Sequence, residues 1–220
     1  MNFAPRLAAL PPAQRALWPE LKQVPRQFVL YGGTALALRL GHRQSEDFDL
    51  FADAPVSPEE LLNTLPLLKG ATVRQKTPNT LTAVVHRAGP VKLSFFGLSL
   101  RRVGEPDLTD DGVARVATLR DVGGCKMAVI QSRSEAKDYL DIHALLRQGL
   151  EVAEMLGAAQ AIYGEQFFPM ITLKALAWFK DGDLPGLPAE VKEALSRAAG
   201  DVRQIPNLKP LAGGVSPAAA

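Results

Sequence analysis

Short apolar runs separated by turn residues dominate the first half of the chain. Residues 27–33, QFVLYGG, form an apolar run that ends in two glycines, which predicts a buried strand followed by a turn. Residues 34–40, TALALRL, are good helix formers with no breaker before Gly41. Residues 46–52, EDFDLFA, alternate as a strand does. The pattern therefore predicts a strand, a short helix and a second strand in that order.

The remaining periodicity divides the chain into a mixed half and a helical half. SPEELLNTLPLL begins with a helix-start signature of Ser, Pro and two Glu. Further β-rich runs, separated by turn signals, lie at 71–77, 81–87 and 91–97, with a short one near 110–119. Helical spacing is found at 12–23, from Arg120 to about 149, and at 151–163, 169–180 and 188–203. We therefore expect an α+β fold, with a mixed sheet and flanking helices first and a helical region second.

The same division predicts the domain organisation. Residues 1–118 are expected to form the α/β core. Residues 119–203 are expected to form a helical region that adds residues to a functional site on that core. Residues 204–220 are rich in Pro, Gly and Ala and have little to bury, so we expect a loosely ordered tail.

Composition narrows the class of protein. The net charge of the 220 residues is only +2, which gives no global basic field and leaves room only for a local basic groove. The single cysteine, Cys125, forms no intrachain disulfide and suits a reducing compartment. No secretory signal and no apolar run of membrane-spanning length is found. We expect a soluble cytoplasmic protein that does not enter a membrane.

Two motifs carry candidate chemistry. A strand, Gly32-Gly33 and a helix start form a geometry that can bind phosphate, because glycine permits close approach and the first helical N–H groups point at an anion. Asp47 and Asp49 share one face of the following strand, where two carboxylates repel unless a cation lies between them. Taken separately, the glycines are more often a simple turn and the aspartates a solvated strand face. Taken together, they predict a phosphate loop and a metal site at one sheet edge.

Other polar residues are given structural interpretations. His42 and Arg43 stand just before the aspartate strand and are candidates for nucleotide contacts, but solvated turn residues are the favoured interpretation. Trp18 and Trp178 are interpreted as helix-packing residues rather than base-stacking platforms. The three histidines show no metal-ligand spacing.

The ordered set of motifs resembles the AbiEii/AbiGii-type toxin family of the nucleotidyltransferase superfamily, which has a DNA-polymerase-β-like core. That family shows G-G-T-x-L, then R-x-S-x-D-[IF]-D-[LF], a later helical lysine and an R/K-D-x-x-D motif. Here YGGTALALRLGHRQSEDFDLF is followed by Lys126 in GGCKMAVIQSR and by Lys137, Asp138 and Asp141 in EAKDYLDIHALL. The resemblance covers roughly residues 28–147 and implies a nucleotidyltransferase sheet in the first half.

The resemblance also implies roles for the matching positions. Asp47 and Asp49 would coordinate Mg²⁺ or Mn²⁺, Asp138 would act as the general base, and Lys126 would neutralise triphosphate charge. Nucleotide contacts fall on Gly32, Gly33, Thr34, Ser45, Lys126 and Lys137. Judged without the family, Lys137, Asp138 and Asp141 form an exposed helical stripe with a local ion pair.

One position departs from the superfamily. A third carboxylate usually stands on a later strand beside the D-x-D pair, but VKLSFFG offers Lys92 or Ser94 there. The acids that follow, Glu105, Asp107, Asp110 and Asp111, would need a favourable loop to reach the site. This strand therefore offers no third carboxylate for a full two-metal arrangement.

Three functions remain open. The first is a toxin-like enzyme of an abortive-infection or toxin–antitoxin system that transfers a nucleotidyl group from an NTP to RNA. The 3′ end of tRNA is the leading acceptor, and a cognate antitoxin is expected. Backbone contacts would come from Arg133, Arg147, Arg197, Arg203 and Lys209. The second is an antibiotic-type nucleotidyltransferase, and the third is a nucleotide- or partner-binding protein without catalysis.

Overall fold

The computed structural model describes residues 2–216, which form two compact units. The first, called the sheet unit, contains residues 2–100, 105–118 and 212–216. The second, called the helical unit, contains residues 101–104 and 119–211. Of the predicted tail, residues 217–220 lie outside the described part of the chain. In its described part, the Ser216 hydroxyl donates to the Gln27 carbonyl and accepts from the Asp53 N–H.

A mixed eight-stranded sheet, counted over the described residues, forms the sheet unit. Its strands are β1 (Asn2–Phe3), β2 (Val29–Tyr31), β3 (Asp47–Ala52), β4 (Thr72–Thr77), β5 (Thr80–His86), β6 (Pro90–Gly97), β7 (Asp107–Thr109) and β8 (Arg115–Val116). They lie in the order β1-β7-β8-β2-β3-β6-β5-β4. β3 is antiparallel to β2 and parallel to β6, so it is central. The α+β fold predicted from the sequence is confirmed.

The hydrophobic alternation of β3 places its aspartates away from the core. Phe48, Leu50 and Ala52 are buried, while Asp47 and Asp49 are half-buried on the other face. β5 and β6 repeat the alternation, with core residues such as Leu93 and Phe95. Because side chains alternate along a strand, burying one face fixes the register and turns both carboxylates to the opposite face.

The helices of the sheet unit lie where the sequence predicts them, with differences at their ends. They are α1 (Pro12–Leu17), α2 (Gly32–Leu40) and α3 (Pro58–Thr64), and the Ser57 side chain accepts from the Glu60 N–H at the start of α3. α2 begins two residues before the predicted 34–40, and the helices predicted over 12–23 and 57–68 end early as α-helices. The helix predicted over 12–23 changes at Trp18 into a 3-10 helix, Trp18–Gln23. Pro19 explains the change, since it cannot donate a backbone hydrogen bond within a continuing α-helix.

The helical unit contains α4 (Leu119–Val129), α5 (Ala136–Arg147), α6 (Val152–Tyr163), α7 (Pro169–Ala175) and α8 (Ala189–Gly200). A Cβ built on Gly124 would lie 2.9 Å from the Ala159 nitrogen, so α4 and α6 pack closely at this point. The helix predicted over 169–180 ends early, at Ala175, and is followed by a turn. Residues 2–216 include no helix that is both long and apolar enough to cross a membrane.

Candidate active site

The turn between β2 and α2 brings Gly32 against Asp49. Tyr31 pairs with Asp49 in the antiparallel ladder, so the turn that follows Tyr31 lies beside the Asp49 side chain. Gly32 has φ +73°, and a Cβ there would lie 2.8 Å from the Asp49 Oδ2. A side chain would therefore be strained by the backbone and would press on the carboxylate. Glycine at this position lets the backbone of the turn and the carboxylate come together.

Gly33 lies against the loop that precedes β3. A Cβ at Gly33 would lie 2.6 Å from the Arg43 Nη2 and 2.9 Å from the Ser45 Oγ. The guanidinium and the hydroxyl therefore converge on the first turn of α2, where N–H groups lack intrahelical partners. The sequence analysis gave a nucleotide contact of Arg43 only as the weaker alternative to a solvated turn residue. The first position of the family motif R-x-S-x-D was the signal that could have found it.

Thr34 links α2 to β3, the strand that carries the aspartates, by a hydrogen bond. Its side chain is almost fully buried, and its hydroxyl donates a hydrogen bond to the backbone carbonyl of Asp47. Thr34 was predicted to contact the nucleotide, and that role stays a prediction. The contact observed here fixes the start of α2 relative to Asp47.

The register between β3 and β6 shows which residues stand where the superfamily usually has a third carboxylate. Asp47 lies opposite Lys92, and Asp49 lies opposite Ser94. The Lys92 Nζ is 2.8 Å from the Asp47 Oδ2. Two of the later acids are engaged elsewhere, Asp107 with Arg39 and Asp111 with the Trp18 indole.

The donor set of the sheet unit suits one hard cation shared with a substrate. Within residues 2–216, no three or more Asp, Glu, His or Cys side chains are grouped closely enough to hold a metal ion. Asp47 and Asp49 offer carboxylate oxygens from one strand face. Mg²⁺ takes one or two carboxylates and completes its octahedron with water and substrate phosphates. The pair fits such an ion, whereas a cage made only of protein ligands is not built.

The second group of predicted residues forms a buried cluster inside the helical unit. The Lys126 Nζ lies 2.7 Å from the Asp138 Oδ1 and 2.7 Å from the Asp141 Oδ2. Both carboxylates are fully buried, and Lys126 is 6% exposed. The Lys137 ammonium, in contrast, is exposed and pairs with Glu135 at 2.7 Å. The alternative of an exposed stripe on α5 is therefore wrong, because α5 turns both aspartates toward α4.

Arg133 completes this cluster from the solvent side. Its Nε donates to the Asp138 Oδ2 at 2.8 Å, and its Nη2 donates to the Asp138 Oδ1 at 3.0 Å. Burial acts to raise the pKa of Asp138, but the Arg133 hydrogen bonds and the Lys126 charge outweigh it, so the pKa is lowered. Asp138 is therefore an ionised carboxylate at neutral pH.

The two tryptophans behave differently. Trp18 is buried and its indole donates to the Asp111 carboxylate at 2.7 Å, so its predicted packing role is confirmed. Trp178 follows the end of α7 and is 50% exposed, with the Lys180 ammonium 4.9 Å from its ring centroid. The packing role predicted for Trp178 is wrong because the helix ends before it reaches a buried face.

Comparison with known protein families gives a match across most of the chain. The family described as the nucleotidyl transferase AbiEii toxin of type IV toxin–antitoxin systems matches residues 20–207. An uncharacterised protein of Aquifex aeolicus is 29% identical over 157 residues, which are 70% of this chain and 74% of that protein.

Solved structures share the fold at low sequence identity. MenT4, a nucleotidyltransferase toxin of Mycobacterium tuberculosis H37Rv, is 15% identical with a TM-score of 0.60, covering 86% of this chain and 82% of that one. A protein of H. pylori assigned as a nucleotidyltransferase is 18% identical with a TM-score of 0.52, covering 85% of this chain and 90% of that one. At these identities the likeness shows the fold alone.

Proposed function

This chain belongs to the AbiEii nucleotidyltransferase toxin family, and on that premise we propose that it transfers a nucleotidyl group from an NTP to RNA with Mg²⁺ as cofactor. The membership makes it a nucleotidyltransferase. The single observation that carries the finer proposal is the approach of Gly32 to Asp49 and of Gly33 to Arg43 and Ser45. These groups offer amide, guanidinium and hydroxyl donors beside two carboxylates, which is the chemistry that a metal-bound triphosphate requires.

In the proposed mechanism, the sheet unit binds and orients the triphosphate. The first N–H groups of α2, the Ser45 hydroxyl and the Arg43 guanidinium hold phosphate oxygens by hydrogen bonds. Asp47 and Asp49 would hold Mg²⁺, which when bound supplies Lewis-acid polarisation of the phosphate oxygens. The contact between Thr34 and Asp47 keeps the donors and the carboxylates in fixed relation, so little reorganisation is needed at the reaction step.

We assign the charge and proton roles to the helical unit. Lys126 supplies a positive charge to the triphosphate, and Asp138 accepts the proton of the attacking hydroxyl, whose oxygen bonds to the α-phosphorus as the bond to the leaving pyrophosphate breaks. The lowered pKa keeps Asp138 ionised and able to accept, although a low pKa also limits its strength as a base. Because Arg133 and Lys126 occupy its oxygens, one of these contacts must open before Asp138 can receive a proton.

RNA is the proposed acceptor, with the 3′ end of tRNA as the leading candidate. Exposed cations of the helical unit can contact a phosphate backbone, and they are Arg147, Arg197, Arg203 and Lys209. Arg133 is a weaker candidate for this contact because its guanidinium is engaged with Asp138. The family description of a toxin–antitoxin system supports a cognate antitoxin.

The test is transfer of label from each of four α-labelled NTPs to total tRNA. We expect one or more NTPs to label tRNA, with chelation of Mg²⁺ abolishing the reaction. Asp49→Asn should lose transfer, because an amide is a poor Mg²⁺ ligand. Asp53→Asn is the matched control, since Asp53 directly follows β3 and accepts from the Gly214 N–H. Equal transfer by both variants, or transfer in the presence of chelator, would contradict the proposal.

A further inference from the structure

Lys92 occupies the strand position that faces the aspartate pair. β6 is parallel to β3, and its register places Lys92 opposite Asp47 and Ser94 opposite Asp49. The separation of 2.8 Å between the Lys92 Nζ and the Asp47 Oδ2 shows that both side chains lie on the same sheet face. A positive side chain therefore stands where a third carboxylate would have to stand to complete a second metal site.

The charge at this position decides how many cations the face can hold. The Lys92 ammonium places a positive charge directly against one of the two carboxylates, that of Asp47. A second divalent ion would need an anionic ligand from β6 and would meet a positive charge instead. Ser94 supplies no anion, because its hydroxyl is neutral and its side chain is buried beside Thr82.

We propose that Lys92 is a positioning residue that holds the Asp47 carboxylate and restricts the aspartate pair to a single divalent cation. This inference rests on the proposed function, since it concerns the same metal site. It assigns to a lysine the electrostatic role that a second cation has in a two-metal site. Lys92 is 44% exposed and Asp47 is 40% exposed, so the ammonium remains accessible to an incoming phosphate.

The experiment counts Mn²⁺ ions bound to the full chain by electron paramagnetic resonance of the free ion. Wild type is expected to bind one Mn²⁺, and Lys92→Glu to bind two, because the new carboxylate completes a second set of ligands. Lys76→Glu is the matched control. Lys76 lies on β4 in an ion pair of the same length, 2.8 Å to Glu59, and is similarly exposed at 47%. This control is expected to bind one Mn²⁺.

A second variant covers the case in which Lys92→Glu does not fold. Lys92→Met removes the cation without adding a ligand, and it should still bind one Mn²⁺. Its affinity should rise by about two- to fivefold, since an exposed ion pair no longer competes for Asp47. Unchanged affinity in Lys92→Met would count against the inference.

The outcomes separate this inference from the proposed function. One Mn²⁺ in both wild type and Lys92→Glu would overturn the role of Lys92 and leave the proposed metal site intact. Two Mn²⁺ in wild type would overturn the restriction to a single ion. No Mn²⁺ in wild type would overturn both the metal site and the inference that rests on it.

Discussion

Replacing Lys126 by Met tests the buried cluster of the helical unit most severely. The ammonium lies 2.7 Å from each of two carboxylates that are fully buried. Its removal leaves both negative charges inside the protein, one of them held by Arg133. Breaking a buried ion pair by removing one partner costs about 3–5 kcal/mol. We expect a loss of that size in the free energy of unfolding.

The assay is urea or thermal unfolding at pH 7, with Lys137→Met as the matched control. Lys137 lies on α5 and makes an ion pair of the same length, 2.7 Å, but its side chain is 54% exposed. An exposed pair contributes about 0–1 kcal/mol, so the control should be nearly as stable as wild type. The midpoint of Lys126→Met should fall by about 6–20 °C, given about 2–4 °C per kcal/mol for a chain of this size.

Equal stability of Lys126→Met and Lys137→Met would refute this reasoning. It would mean that water or another group compensates the carboxylates, and that burial does not determine the energetics of the cluster. The loss in Lys126→Met should also shrink as pH falls, because protonation of the two carboxylates removes the negative charges that the lysine balanced in wild type. A loss that stays constant down to acidic pH would point to lost packing of the lysine side chain.

Three further predictions concern single residues. Gly33→Ala should weaken NTP binding, because the new Cβ would lie 2.6 Å from the Arg43 Nη2. Gly186→Ala is the control, since no atom lies within 4 Å of a Cβ there, and calorimetry should show unchanged NTP binding. The pKa of Asp138 is lowered in the fold, so its stabilisation should be present above about pH 4 and lost as pH falls further. The gap in unfolding free energy between wild type and Asp138→Asn should therefore close on acidification, and a widening gap would contradict the assignment. Burial raises the pKa of Cys125 to about 11, so a disulfide reagent at pH 8 should label the folded chain much more slowly than the urea-unfolded chain.

The central part of the fold could be predicted because local signals and burial agree there. The alternation in residues 46–52 predicts β3 with Phe48 and Leu50 inside, and the structure has this arrangement. The spacing from Gly33 to Asp47 allows one helix and a turn, which returns β3 beside β2. Short strands were harder. β7 has three residues and no alternation long enough to identify it, and its pairing with β8 and β1 comes from tertiary contacts.

The sequence predicts which residues form the candidate site better than it predicts which of them contact each other. Lys126 and Asp138 are separated by twelve positions on two helices, and sequence spacing says nothing about how helices cross. The approach of α5 to α4 at Gly123, where a Cβ would lie 3.4 Å from the Leu145 Cδ1, and the burial of one face of α5 settle that question. The approach of Arg43 to Gly33 was not predicted for a similar reason, since the path of a loop before a strand has no periodic signature. The role of Lys92 depends on the β3–β6 register, which only the folded sheet defines.

The central claim is that Gly32, Gly33, Asp47 and Asp49 together bind a metal-bound triphosphate. The most direct measurement is the affinity of the chain for a non-hydrolysable NTP analogue, with and without Mg²⁺, in wild type and in Asp47→Asn/Asp49→Asn. We predict that Mg²⁺ strengthens binding to wild type by at least about tenfold, or about 1.4 kcal/mol, and has no such effect on the double variant. Equal strengthening by Mg²⁺ in both proteins would contradict the claim.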